Sequence, residues 1–140
     1  MTTTLHQATC VAIKGRAVLI EGPPGCGKSS LALALIDRGA TLIGDDGVRL
    51  ELRGGKLYAS PPPIITGLLE VRNLGLLEFR TQSEAPVGLV VRFDAAAERH
   101  IQAAEQANLC GIDLPLVRIW PGGATLALKA ELALDRYGLT

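Results

Sequence analysis

Short apolar runs separated by clusters of Gly, Pro and Asp set the pattern of this chain. Residues 8–13 and 17–20 read as two β-strands joined at Lys14-Gly15-Arg16. Residues 31–36 are mostly strong helix formers and Gly39 closes them, so the pattern predicts a helix from near Lys28 to about Arg38. A short strand at 41–43 runs into Gly44-Asp45-Asp46. Segments 48–52 and 56–59 flank Gly54-Gly55, a strong hairpin turn. Pro61-Pro62-Pro63 then enforces an extended loop. Residues 68–79 are largely apolar but interrupted by Glu70, Arg72, Asn73, Gly75 and Glu78, and 88–93 reads as a buried strand. Asp94 stands where it would N-cap a helix through about Ala107. A strand at 116–120, a turn at Pro121-Gly122-Gly123 and a closing helix at 124–136 complete the pattern. Hairpins beside helices predict an α/β fold with a mixed sheet flanked by helices. No repeat or long linker divides the 140 residues, so a single domain over 1–140 is expected.

The most specific chemistry lies between the second strand and the first helix. Gly22-Pro23-Pro24-Gly25-Cys26-Gly27-Lys28-Ser29-Ser30 matches the phosphate-binding loop G-x-x-x-x-G-K-[ST]. Such a pattern arises by chance in roughly one chain of this length in a few hundred, and strand–loop–helix is the context it requires. Glycines let backbone N–H groups close around phosphate oxygens, and the helix dipole favours the same anion. Lys28 would reach the β- and γ-phosphates and Ser29 would ligate Mg²⁺, so ATP and Mg²⁺ are the expected cofactors.

Asp45 and Asp46 end a short apolar strand shortly after this loop, where a carboxylate commonly supports Mg²⁺. Glu70 and Arg72 alternate, so on a strand they would point to one side, and Glu70 is a further candidate for the metal. His6 precedes the first expected strand and gains interest only if its segment folds over the phosphates.

Charge and composition narrow the partners. Fourteen basic and fourteen acidic residues cancel, which argues against a general nucleic-acid or anionic-membrane binder. One Trp, two Tyr and two Phe leave little for base stacking. No apolar run approaches a membrane span, and the first residues lack the charged and apolar regions of a secretory signal. Three cysteines, odd in number and without metal spacing, fit a reducing cytoplasm.

Taken together, His6, the loop 22–29, Asp45-Asp46 and Glu70-Val71-Arg72-Asn73-Leu74-Gly75-Leu76 resemble the catalytic domain of bacterial HPr kinase/phosphorylase, in its compact form. That family phosphorylates a serine of HPr, a carrier protein of the sugar phosphotransferase system. The last segment is similar to the family's Glu-Val-Arg-Gly-Leu-Gly element, with Asn73 in place of Gly. The resemblance implies a phosphoenolpyruvate carboxykinase-like fold, hexameric assembly and an ATP-dependent protein serine kinase acting on HPr or an HPr-like carrier. It implies that Lys28 contacts the transferred phosphate, Ser29 and Glu70 bind Mg²⁺, and Asp46 is the base, with Asp45 supporting the metal and His6 near the phosphate. Pro121-Gly122-Gly123-Ala124 stands where the family has Pro-Gly-Arg-Asn, so phosphorolysis loses the arginine tied to it. Two rival readings are a small-molecule kinase with the same loop and a non-catalytic nucleotide-sensing regulator.

Overall fold

The computed structural model describes residues 3–63 and 67–140. Its strands are β1 (Thr3–His6), β2 (Thr9–Ile13), β3 (Arg16–Glu21), β4 (Thr41–Gly44), β5 (Val48–Arg53), β6 (Lys56–Ser60), β7 (Leu68–Val71), β8 (Gly75–Glu78), β9 (Ala85–Phe93), β10 (Glu105–Leu109) and β11 (Ile112–Ile119). Helix α1 (Lys28–Asp37) follows β3, and α2 (Leu126–Tyr137) follows β11. Nine strands form one mixed sheet and β7–β8 a separate hairpin.

The long strand β9 organises the sheet. It runs parallel to β3 along one edge, with Glu21 opposite Arg92. Its other edge takes β6 antiparallel at the start and β11 parallel at the end. A sheet that changes partner along one strand curls, and the path β1-β5-β6-β9-β3-β2-β4 places β1 far from β3 in strand order. The curl nevertheless brings the end of β1 back over the end of β3, where His6 and Glu21 meet.

Both faces of the central strands are covered, which is why they read as unbroken apolar runs rather than as alternation. Val18, Ile20, Leu89 and Val91 pack under Leu31, Leu35, Ala130 and Leu134 of the two helices. Their neighbours Ala17, Leu19, Val87 and Val90 pack with Leu50, Leu57 and Leu114 on the opposite side. Side chains alternate across a strand, so each central strand feeds two cores.

Three expectations are corrected. Asp94 starts no helix. Its carboxylate accepts the Ala96 N–H at 2.8 Å and its carbonyl the Ala97 N–H at 3.1 Å, which makes a local turn. The chain then forms β10 and pairs with β11 through Cys110-Gly111, both at positive φ, the geometry of a two-residue hairpin. Long-range pairing overrides helix propensity there. Second, residues 68–79 fold back on themselves as the β7–β8 hairpin, with Asn73 at φ 74° in the turn. Arg72 lies in that turn and shares no strand face with Glu70. Third, His6 does not precede the first strand. It ends β1 and pairs with Val48.

Candidate functional site

The loop after β3 turns back sharply before α1 begins. Gly25 and Gly27 take φ of 78° and 104°, open to glycine at little cost. Gly22 is required for a different reason: a Cβ there would lie 2.7 Å from the Cys26 sulfur and 3.2 Å from Phe93 Cβ. No side chain caps the first turn of α1, and that turn carries no acid. Its N–H groups are therefore left for another acceptor. Lys28 Nζ donates to the Gly22 carbonyl at 2.7 Å, so the ammonium sits over the mouth of the loop.

Opposite the loop lies the turn after β4. The β2–β4 ladder shifts register between Cys10 and Val11, which pair with Gly44 and Leu42 and leave Ile43 of β4 as the extra residue, and such bulges re-aim the residues beyond them. Gly44 then lets the chain double back, since a Cβ there would collide with the Gly47 carbonyl. Asp45 points inward. Its Oδ1 accepts the Ser29 hydroxyl at 2.8 Å and the Thr9 hydroxyl at 3.0 Å. Its Oδ2 accepts the Glu70 backbone N–H at 3.1 Å. One carboxylate thus ties α1, β2 and β7 together. Asp46 is exposed, at φ 62°.

These elements enclose a cleft of about 240 Å³ lined by Pro24, Gly25, Gly27, Lys28, Ser29, Ser30, Asp46, Glu70, Arg72 and Gln7. A second hollow shares Asp46 and Gln7 with it and is walled by Leu5, His6, Asp45, Gly47, Pro62 and Pro63. Asp46 therefore borders both spaces. Of the residues singled out by sequence, Lys28, Ser29, Asp46 and Glu70 converge on the first cleft, while Asp45 and His6 line the second. Gly22, Pro23 and Cys26 lie outside both linings.

A model of the HPr Serine kinase C-terminal domain matches residues 1–120. The chain belongs to this family. It is 36% identical to the HPr kinase/phosphorylase of Cupriavidus pinatubonensis, over 94% of this chain and 44% of that protein. It is 38% identical to the HPr kinase/phosphorylase of Clostridium beijerinckii, over 96% of this chain and 49% of that protein. The chain thus spans less than half the length of these curated relatives. Its structure superposes on the HPr(Ser) kinase/phosphatase of Coxiella burnetii with a TM-score of 0.84 at 25% identity, covering 94% of this chain and 88% of that one. The fold is accordingly the mixed α/β fold of HPr kinases, a curled sheet with flanking helices. No helix among the described residues is long and apolar enough to cross a membrane.

Within this member of the HPr kinase family, Thr9, Glu21 and Arg92 escaped the sequence reading, and Arg72 is placed differently from it. Thr9 is fully buried yet polar, and its hydroxyl is spent on Asp45. Arg72, expected beside Glu70 on a strand, reaches the cleft from a turn, with its guanidinium near Gly25. Glu21 and Arg92 form an ion pair at the base of the loop, Arg92 Nη2 to Glu21 Oε1 at 2.7 Å. Burial pushes the Glu21 carboxyl up, but hydrogen bonds from His6 and Arg92 and the positive charge of Arg92 outweigh it and hold the carboxyl below the usual range. The available signal was an acid closing an apolar strand immediately before the loop, and an arginine inside the apolar run of β9. Cys10 is buried, and burial pushes its thiol far above the usual range, which makes it inert.

Proposed function

We propose that this chain is an ATP- and Mg²⁺-dependent protein serine kinase whose acceptor is HPr or an HPr-like carrier protein. The observation that carries the reading is the single cleft in which a loop lysine, a loop serine, two carboxylates and an arginine converge. An uncapped helix start, inward-turning glycines and an ammonium suit a polyphosphate tail. The names of the relatives supply the acceptor.

The residues present fit Mg²⁺. Ser29 offers an alcohol oxygen held by Asp45, and Glu70 and Asp46 offer carboxylates across the cleft. Among the described residues no group of three or more His, Cys, Asp or Glu could hold an ion by itself. That suits an ion that takes one or two carboxylates and completes its shell with phosphate oxygens and water. When bound, it would offset charge on the phosphates. Ser29 and Glu70 would hold it, with Asp45 supporting it through the Ser29 hydroxyl, Lys28 would grip the phosphate tail and Arg72 would add positive charge over the loop. Asp46, at the border of the two spaces, would accept the proton of the attacking serine hydroxyl. The acceptor chain would then lie in the hollow of Leu5, Pro62 and Pro63. Positioning and charge complementarity carry most of the rate in such transfers.

The test is incubation with γ-labelled ATP, Mg²⁺ and the organism's own HPr-like protein, with Lys28→Ala as control. Label on a serine of the carrier, lost in Lys28→Ala, is expected. Nucleotide binding without transfer would favour the regulator reading, and transfer to small acceptors alone the small-molecule kinase. Assembly as a hexamer and residence in the cytoplasm belong to the same proposal.

A further inference from the structure

A carboxylate held largely out of water is costly unless every oxygen is matched. The Glu21 side chain is 13% exposed, and both of its oxygens are matched. Oε2 meets His6 Nε2 at 2.7 Å. Oε1 accepts Arg92 Nε at 3.1 Å and Arg92 Nη2 at 2.7 Å. The neighbouring strands β3 and β9 and the edge strand β1, remote from both in the sheet order β1-β5-β6-β9-β3-β2-β4, meet at this point. Glu21 also directly precedes Gly22, whose carbonyl holds Lys28.

A carboxylate can only accept, so the ring nitrogen facing it must carry the hydrogen. Arg92 occupies the other oxygen and keeps Glu21 from rotating away. His6 Nδ1 has no protein hydrogen-bond partner among the described residues, and the ring lines the hollow that Asp46 borders. We propose that Glu21 and Arg92 are positioning residues that lock His6 with its hydrogen on Nε2, leaving Nδ1 as the nitrogen available to the reacting groups beside Asp46. The functional half of this inference rests on the phosphoryl-transfer reading; the geometric half does not. It gives the acid before the loop and the arginine inside β9 a shared task that neither has alone. A neutral ring would then offer Nδ1 as an acceptor to the incoming hydroxyl, and a protonated ring would offer it as a donor to a phosphoryl oxygen.

Long-range nitrogen–proton NMR on the ¹⁵N-histidine-labelled chain reads the tautomer directly. The chain has two histidines, and His100→Gln assigns the signals. The expected result is one neutral form of His6, protonated at Nε2, with that preference lost in Glu21→Gln and weakened in Arg92→Lys. In carrier phosphorylation, Glu21→Gln should lower kcat about 10- to 100-fold, the usual cost of losing such a support, while the affinity for MgADP stays within about twofold. Glu21→Asp should recover part of the loss. An Nδ1-protonated or mixed His6 in the unaltered chain would overturn the proposal. So would a Glu21→Gln chain that keeps both tautomer and kcat and merely melts earlier. If the unaltered chain transfers no phosphoryl group, the kinase reading fails while the NMR result still decides the positioning.

Discussion

The Ser29 hydroxyl donates to Asp45 Oδ1 at 2.8 Å, joining the first turn of α1 to the turn after β4. Sixteen residues separate the two in sequence. The same oxygen takes the Thr9 hydroxyl, and its partner oxygen takes the Glu70 N–H. Asp45 is thus the knot of the site, and it stands beside Asp46 without sharing that residue's exposure. Two adjacent carboxylates have been given different work by one reversal of the chain.

Replacing the knot should cost stability as well as function. Asp45→Ala leaves the buried Thr9 hydroxyl, the Ser29 hydroxyl and the Glu70 N–H without their acceptor. The expected loss is about 2–4 kcal/mol, since an unsatisfied buried group costs about 1–3 kcal/mol and, of the three donors, Thr9 is buried while Ser29 and Glu70 can reach water. Urea unfolding measures it. A variant as stable as the parent would show that water replaces the carboxylate.

Asp46→Asn should separate binding from transfer. Asn tolerates the left-handed backbone that Asp46 adopts at φ 62°, so the fold is retained. Calorimetry with MgADP should give near-parental affinity, while labelled phosphate transfer to the carrier falls by about two to four orders of magnitude, the usual worth of a positioned base. Full transfer activity would remove Asp46 from the mechanism.

Gly44→Ala tests the reversal itself. The added methyl would run into the Gly47 carbonyl, and Val48 and Pro62 stand close on either side. Backbone cannot move away as a flexible side chain can, so a loss of about 1–3 kcal/mol is expected. Nucleotide affinity should fall with it, because Asp45 and Asp46 both hang from this turn. Thermal melting with and without MgADP reads both effects.

Glu21 sets an acid limit. Its carboxyl is held below the ordinary value by His6 and Arg92. A depressed folded value means that the unfolded chain takes up the proton first as pH falls. The stabilisation is therefore complete above the ordinary carboxylate value of 4.5 and is lost as pH drops through the lower folded value. Denaturant midpoints across this acid range should fall for the parent and fall less steeply for Glu21→Gln. Parallel curves for the two would show that the ion pair is not linked to folding.

Much of the site could be read directly because it is local. The loop glycines, Lys28 and Ser29 sit at fixed offsets where a strand becomes a helix, and hydrogen bonding within a few residues does not need the rest of the chain. The resemblance carried by Glu70-Val71-Arg72-Asn73-Leu74-Gly75-Leu76 named the family correctly. Glu70 and Arg72 do face one cleft, but not by strand alternation: β7 ends at Val71, and Asn73 and Gly75, both at positive φ, turn the chain there. The expected helix after Asp94 failed for a related reason. Residues 105–109 are mostly helix formers, yet they take the form that pairing with β11 imposes.

Sequence alone determined what depends on neighbours along the chain: the loop, its helix, the hairpins and the apolar strands of a mixed sheet. Tertiary structure decided which distant groups meet. His6 reaches Glu21 across 15 residues, and Arg92 reaches the same carboxylate across 71. Those meetings follow from the curl of the sheet about β9, and the curl is set by packing of two cores on opposite faces of the same strands. No periodicity along the chain encodes it, because it is a property of how the strands pack against one another.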